Sequence, residues 1–188
     1  MKQLRRILIA LAAGAATVAI SACSVSGNET TADSLGPGYV KVADLYYQVQ
    51  ISRELNPFSD EDSGYLDGLT RHQLALAPGQ IWFGVFIQAY NTSPHPQQAA
   101  RTYYVTDTLG QRFAPIVNPD PNAYSYAPVL IPPKGQLPSK TSDAYAGWTQ
   151  GEVILFKFPY TTYSARPLTL HIVNPHNPAE QSRIELDV

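Results

Sequence analysis

The chain has 188 residues, of which 44% are hydrophobic and 15% charged, and this length favours a single domain. Its one cysteine excludes an internal disulfide framework and a cysteine-rich zinc site. The formal net charge of −2 lacks the basic excess that nucleic-acid binding requires.

The first 22 residues have the organisation of an export signal and are not expected to belong to the fold. A basic segment with Lys2, Arg5 and Arg6 precedes an apolar run over residues 7–20. This run is shorter than the roughly 20 apolar residues of a transmembrane helix. It ends in Ile20-Ser21-Ala22-Cys23, which resembles the bacterial lipoprotein signal, where an aliphatic residue and two small residues precede the cysteine.

The resemblance implies that residues 1–22 are removed and that the sulfur of Cys23 carries diacylglycerol. An ordinary secretory signal with an incidental cysteine is the alternative. Arg5-Arg6 also leaves twin-arginine export open beside the general secretory route. We therefore expect a lipid-anchored protein on the extracytoplasmic face of the cell membrane, held there through Cys23.

Residues 23–38 are predicted to be the lipidated cysteine and a flexible tether, because the stretch from Ser24 to Gly38 is rich in Ser, Thr and Gly and has no aromatic residue. Residues 1–22 hold three of the 13 Lys and Arg side chains and none of the 15 Asp and Glu side chains. The remaining chain therefore has ten basic and 15 acidic side chains, a net charge of −5. This excess argues against nucleic acid and anionic lipid as partners.

From Tyr39 to the end, short segments of alternating polarity are separated by turn residues, which predicts a β-domain over residues 39–188. The predicted strands cover residues 39–52, 81–91, 101–108, 112–117, 124–131, 152–158, 167–173 and 183–188. Residues 81–87 are apolar on both faces, as in a central strand. Residues 107–110 predict a hairpin turn, and residues 60–69 one short helical turn capped by Ser59 or Asp60.

Eight short strands joined by turns predict an all-β fold, namely an antiparallel β-sandwich of immunoglobulin-like architecture. The single cysteine excludes the usual disulfide between the two sheets. In the segment 167–173 the apolar Leu168, Leu170 and Ile172 are expected on the inner face, with Thr169 and His171 on the outer face.

Five short motifs are spread through residues 39–188: Leu55-Asn56-Pro57, Trp82-Phe83-Gly84-Val85-Phe86, Tyr104-Val105-Thr106-Asp107-Thr108, Gly151 with Leu155-Phe156-Lys157, and Arg166-Pro167-Leu168. With these motifs the mature chain resembles actinobacterial extracellular lipoproteins of unknown function, which are akin to the secreted mycobacterial immunoprotective antigens. The resemblance implies an immunoglobulin-like sandwich outside the membrane, without an established activity.

Two residue groups could bind a metal. The acidic stretch Asp60-Glu61-Asp62-Ser63-Gly64 with Asp67 offers oxygen ligands for calcium, but its spacing departs from the EF-hand loop, and we interpret it as a solvated acidic loop. No regular spacing brings the four histidines together, and each is interpreted as a surface residue: His72, His95, His171 and His176. We predict no metal and no cofactor.

Tyrosine recurs in adjacent pairs such as Tyr46-Tyr47 and Tyr103-Tyr104, of which one member should point outward. Outward tyrosines and Trp148 could contact a protein or stack on sugar rings, or simply suit half-buried strands. The proline-rich segment 118–122 could similarly be a recognition loop or only stiffen a connection.

The sequence has no Gly-x-Ser-x-Gly elbow and no His-Glu-x-x-His helix. We therefore predict a membrane-anchored envelope lipoprotein that is not an enzyme and that binds or positions a protein or cell-wall glycan. The alternative is an envelope hydrolase whose active site is built from loops, since catalytic residues can converge in space from distant positions. The oligomeric state is left open.

Overall fold

The computed structural model describes residues 38–186, which form many strands and a few short helices. In chain order the strands are β1 (Tyr39–Val42), β2 (Leu45–Leu55), β3 (Gln80–Asn91), β4 (Gln97–Gln98), β5 (Tyr103–Thr106), β6 (Arg112–Phe113), β7 (Leu130–Ile131), β8 (Gln136–Leu137), β9 (Glu152–Pro159), β10 (Leu168–Val173) and β11 (Gln181–Leu186). The helices are α1 (Asp60–Tyr65), α2 (Arg71–Leu74), α3 (Asp143–Ala146) and a 3-10 helix over Tyr160–Ala165. None of the helices within this part of the chain is long and apolar enough to cross a membrane.

The strands assemble into two main antiparallel sheets. In the first sheet β2 lies between β1 and β3, while β9 and β8 both pair with the other side of β3. The second sheet has the order β11-β10-β5-β6, and β4 and β7 form a separate short ladder. All the ladders between named strands are antiparallel.

The inner faces of the two sheets share one hydrophobic core, which confirms the predicted antiparallel β-sandwich. Phe83, Val85 and Ile87 of β3 point into this core. The predicted alternation of β10 is also confirmed, because Leu168, Leu170 and Ile172 are fully buried there, opposite the first sheet. Burying these side chains away from water is the main force that holds the sheets together.

A second core lies on the outer face of the first sheet. Trp82 and Phe86 of β3 point to this side and are covered by Tyr65, Leu66 and Leu69 from the helical segment after β2. Strand β3 is therefore buried on both faces, as its continuous apolar run predicts.

The predicted single strand over residues 39–52 is wrong. The chain turns back at Ala43-Asp44, so that Val42 pairs with Leu45 and two strands form a tight hairpin. Ala43 has a φ of 52° there, a conformation that non-glycine residues seldom adopt. A two-residue turn without Gly or Asn gives no clear sequence signal.

A β-bulge interrupts β2 between Val49 and Ile51. The extra residue moves the following side chains to the opposite faces of the sheet. Leu55 consequently packs into the second core rather than the first. Arg53, two residues earlier on the same strand, is brought to this side, near the rings of Tyr65 and Phe86.

Other predicted strands are shorter than expected. Within residues 124–131 only β7 forms a ladder, because Tyr124 and Tyr126 direct their backbone bonds to Val153 instead. In residues 112–117 the ladder ends before Pro115, which lacks the amide hydrogen that a strand would use. The predicted turn between β5 and β6 is confirmed as a five-residue loop over residues 107–111, where the Asp107 carboxylate accepts hydrogen bonds from two loop amides.

Candidate functional site

A cleft opens between β9 and the segment 115–128, with a cavity volume of about 290 Å³. Most of its lining is apolar and comes from distant parts of the chain. The lining residues are Arg101, Tyr103, Pro115, Ile116, Val117, Asn118, Pro121, Ser125, Tyr126, Ala127, Pro128, Val153, Ile154 and Leu155. We term this surface the β9 cleft. An apolar concave site with a few polar groups is the usual form of a binding site.

Backbone hydrogen bonds hold the wall of the β9 cleft against the strand. The Ile116 amide donates to the Leu155 carbonyl at 2.7 Å. The Val153 amide donates to the Tyr124 carbonyl at 2.7 Å, and the Tyr126 amide donates back to Val153 at 3.0 Å. The wall is therefore attached to β9 at two places, which favours a cleft that is formed before any ligand binds.

The stretch between these attachments, residues 117–123, is termed the Pro-rich loop. The side-chain amides of Asn118 and Asn122 both donate to the Asp67 carbonyl, at 2.7 and 2.9 Å. Gln73 donates to the Val117 carbonyl at 2.8 Å. These bonds fix the loop on the helical segment 60–74, so its asparagines, as well as its prolines, determine its shape.

Three tyrosines, two of which line the β9 cleft, belong to one hydrogen-bonded chain. The Tyr103 hydroxyl donates to the Tyr126 hydroxyl at 2.5 Å, which donates to the Ala100 carbonyl at 2.9 Å. The Ala100 amide donates to the Tyr47 hydroxyl at 2.8 Å. Burial raises the pKa of Tyr47 to about 12 and that of Tyr103 and Tyr126 well above its ordinary value. All three are neutral at physiological pH and serve as hydrogen-bonding groups.

Glu152 is the titratable group beside the β9 cleft with a pKa near neutrality. Burial raises the pKa of Glu152 to about 7, although its carboxylate accepts a hydrogen bond of 3.1 Å from the Ala127 amide. Because burial favours the neutral acid in the folded protein, protonation of Glu152 stabilises the fold. This stabilisation has its full value below about pH 4.5, the ordinary pKa of the group. It is lost as the pH rises through about 7.

Replacing Glu152 by glutamine is expected to stabilise the protein above pH 7, because the amide can still accept the Ala127 hydrogen bond without a buried charge. Between pH 5 and 8.5 we expect the free energy of unfolding of wild type to fall by about 2 kcal/mol relative to Glu152→Gln. Urea unfolding at both pH values measures this difference. Glu185→Gln, on the exposed face of β11, is the control. If the free energy of unfolding of wild type and of Glu152→Gln changed with pH in parallel, the prediction would be contradicted.

Comparisons with known proteins give little beyond this geometry. No family model matches the chain, and no match is found among the curated proteins. Among solved structures, the chain is similar to an uncharacterized beta-sandwich protein from Clostridium difficile 630, with 10% sequence identity and a TM-score of 0.42. This likeness covers 79% of our chain and 89% of the other.

Cys23, the predicted lipidation site, lies outside the described residues, as do the predicted signal peptide 1–22 and all of the predicted tether 23–38 except Gly38. Lipidation and membrane anchoring therefore stay predictions. So does the resemblance to the actinobacterial lipoproteins, which none of the comparisons tests.

The acidic stretch 60–67 is a helical segment in which one carboxylate is buried. Ser59 caps α1, and Asp62 lies 2.6 Å from Arg53 and accepts a hydrogen bond of 2.7 Å from the Asn56 amide. Burial alone would raise the pKa of Asp62, but the contacts with Arg53 and Asn56 hold it below its ordinary value. The interpretation of the stretch as entirely solvated is therefore wrong for Asp62, whose carboxylate serves a structural ion pair.

The histidines are not brought together. His72 in α2 and His95 and His176 on two separate loops are exposed, as predicted. His171 is only 7% exposed and stacks on Tyr104, so its interpretation as a surface residue is wrong. Within residues 38–186, no three of the His, Asp and Glu side chains lie close enough to hold a metal ion.

The tyrosine pairs follow the predicted alternation, since Tyr47 and Tyr103 are buried while Tyr46 and Tyr104 are only half-buried. Trp148 is 98% exposed, on the loop before β9. The β9 cleft and Glu152 were not predicted, although the Pro-rich segment 118–122, which was singled out, contributes to its wall. Chemically, the cleft offers apolar contact, two tyrosines in its lining and one arginine at its rim.

Proposed function

We propose that the protein is a lipid-anchored module of the cell envelope that binds a protein partner in the β9 cleft, without catalysing a reaction. The observation that carries this proposal is the combination of an apolar cleft of about 290 Å³ with an exposed arginine at its edge. Ligand pockets for small molecules usually measure about 300–1,000 Å³. The β9 cleft is at the lower limit of that range and suits one or two large apolar side chains of a partner.

The arginine at the rim of the β9 cleft indicates that the partner segment carries an acidic side chain. Arg101 is exposed and, among residues 38–186, makes no ion pair. Val117, also in the lining, is 76% exposed and extends the apolar surface outward. A partner segment with a large apolar side chain next to an Asp or Glu would satisfy both features, since arginine forms strong paired hydrogen bonds with carboxylates.

The anchor in this proposal is the thioether-linked lipid on Cys23. Two or more acyl chains hold a protein stably on a membrane, whereas one chain does so only marginally. Mass spectrometry of the native protein should find an N-terminal acylated Cys23, and Cys23→Ala should move the protein from the membrane fraction to the soluble fraction. An unmodified Met1 with a free thiol would contradict the anchor but not the cleft.

The predicted alternative, an envelope hydrolase, has one observation in its favour, the pKa of Glu152 near 7. A general acid or base works best with such a pKa. Its hydrogen-bonding partner, however, is the Ala127 amide rather than a hydroxyl nucleophile or a second carboxylate. Glu152 therefore favours a binding site with a buried acid over a complete catalytic site.

The cleft proposal is tested by photocrosslinking the full-length protein in intact envelopes, with a photoreactive phenylalanine in place of Val117. We expect one crosslinked protein species, which disappears when Ala127→Trp fills the cleft and weakens about tenfold with Arg101→Gln. Trp148→Ala, which removes an exposed aromatic side chain outside the lining, is the control and should not change the crosslink. A crosslink that persists in a folded Ala127→Trp protein, or none with the parent, would refute the cleft as the binding site.

A further inference from the structure

The outer face of the second sheet carries a second group of side chains, on the side opposite the shared core. The strand register places His171 between Tyr104 on β5 and Arg183 on β11. Arg112 on β6 is paired with Thr106, two residues from Tyr104 on the same face. We term Tyr104, Arg112, His171 and Arg183 the arginine face.

The rings of the arginine face are stacked. The Tyr104 and His171 rings are 4.3 Å apart with an interplanar angle of 9°. The guanidinium carbon of Arg112 lies 3.5 Å from the centre of the Tyr104 ring. Because β5 lies between β6 and β10, Arg112 and His171 approach the tyrosine from neighbouring strands on its two sides. Stacking holds the flexible Arg112 side chain in one orientation, so binding an anion would cost it little entropy.

Hydrogen bonds hold the stack in place. Thr106 Oγ1 and His171 Nε2 are 2.9 Å apart. The Tyr104 hydroxyl donates to Gln181 Oε1 at 2.5 Å. The face is therefore an ordered surface on paired strands, rather than a set of mobile side chains.

Within residues 38–186, neither Arg112 nor Arg183 forms an ion pair with a carboxylate. Glu185, two residues from Arg183 on the same face of β11, is exposed and makes no ion pair with either arginine. Arg183 is half-buried, and its Nε is buried without a hydrogen-bond partner in the described part of the chain. Burial and the two arginines lower the pKa of His171 to about 4, so the positive charge at neutral pH belongs to the arginines.

We propose that the arginine face binds a flexible anionic polymer of the phosphodiester type. Strands β6 and β11 are separated by β5 and β10, and Arg112 and Arg183 are offset by two residues along the strands. With about 4.8 Å between strands and about 3.4 Å per residue, the two arginine backbones are roughly 16 Å apart. A chain that carries several phosphates can contact both arginines across this separation. Each guanidinium offers the paired donors that match phosphate oxygens.

A flexible polymer fits this face better than an anionic membrane does. The mature chain has ten basic and 15 acidic side chains, so a flat anionic surface would meet the negative excess of the whole domain. An extended polymer can contact the arginine face alone. The site is separate from the β9 cleft, and the proposal does not depend on what that cleft binds.

The test uses the full-length protein in neutral detergent and an immobilised glycerol phosphate oligomer of about ten units, which spans more than the separation of the arginines. We expect binding that weakens between 50 and 200 mM salt, as for other phosphate-binding surfaces. The double variant Arg112→Gln/Arg183→Gln should bind about tenfold more weakly or worse. Arg101→Gln, at the β9 cleft, should bind like wild type. Thermal unfolding of each variant verifies that it is folded.

Three comparison probes test whether the arginine face recognises phosphate rather than sugar, carboxylate or an anionic membrane. Uncharged dextran should not bind, and poly-glutamate should bind more weakly than the glycerol phosphate oligomer. Phosphatidylcholine vesicles with about 30 mol% phosphatidylglycerol, which gives them a negative surface potential, should bind no better than vesicles of phosphatidylcholine alone. The proposal would be overturned if the oligomer did not bind, or if the folded double variant bound it like wild type. It would also be overturned if poly-glutamate or the anionic vesicles bound as well as the oligomer.

Discussion

Replacing Asp62 by alanine is expected to lower the free energy of unfolding by about 3 kcal/mol, the lower end of the range for breaking a buried ion pair. The carboxylate is 8% exposed, lies 2.6 Å from Arg53 and accepts the Asn56 amide hydrogen bond. Its removal leaves the Asn56 amide without its acceptor, and it leaves Arg53 only the more exposed Glu61 carboxylate, 3.2 Å away. Urea unfolding at pH 7 measures the loss.

Asp60→Ala is the matched control, because Asp60 is an exposed residue of the same type in the same first turn of α1. Asp60→Ala should lower the free energy of unfolding by well under 1 kcal/mol, as expected for a charge near a short helix end. A loss for Asp62→Ala no larger than for Asp60→Ala would show that the ion pair contributes nothing.

The Asp62 contribution should depend on pH in the direction opposite to that of Glu152. The pKa of Asp62 is lowered in the folded protein, so its stabilising effect is present above the ordinary pKa of an aspartate, about 3.9. The effect is lost as the pH falls through the lowered value. The difference in stability between wild type and Asp62→Asn should therefore shrink in acid, and a constant difference down to pH 2 would contradict the assignment.

Replacing Gly68 by alanine is expected to lower the free energy of unfolding by about 3 kcal/mol, from backbone strain and a steric clash together. Gly68 has a φ of +87°, and a Cβ atom there would lie 1.8 Å from the Asp120 carbonyl oxygen and 2.9 Å from the Asn118 side chain. The Pro-rich loop must move away to accept it. The β9 cleft, whose wall includes Asn118, should lose its crosslinked partner in the same variant.

Replacing Gly79 by alanine separates the backbone strain from the steric clash. Gly79 has a φ of +76°, but a Cβ atom there would meet nothing within 4 Å. Gly79→Ala should therefore cost only the strain of a left-handed residue, about 1 kcal/mol. Equal losses for Gly68→Ala and Gly79→Ala, measured by urea unfolding, would show that the Pro-rich loop adapts without cost.

The sequence predicts the strands that are long and buried, and fails where pairing depends on distant partners. The apolar run 81–87 and the alternation of residues 168–172 have a strong period, so β3 and β10 follow from it. Strands β4 and β8 have two residues each, too few for any period to be recognised. The hairpin at Ala43-Asp44 was missed because neither residue is typical of its turn.

The contacts of the candidate site were also missed where they depend on distant parts of the chain. The Asp62–Arg53 pair depends on a bulge in β2 that no local pattern reveals. His171 alternates like a surface residue and is buried only because Tyr104 from a neighbouring strand covers it. The β9 cleft is assembled from segments spread over residues 101–155, so local sequence patterns cannot show that they meet.

The first hairpin has a mechanical consequence. The described chain begins at β1, which pairs with β2 over four residues and is also held by the Ser182 hydroxyl, a donor to the Lys41 carbonyl at 2.6 Å. A pulling force transmitted through the residues before Gly38 acts on these few bonds before it reaches β3. Force that enters the domain from this end is therefore resisted first by the β1–β2 ladder and the Ser182 hydrogen bond.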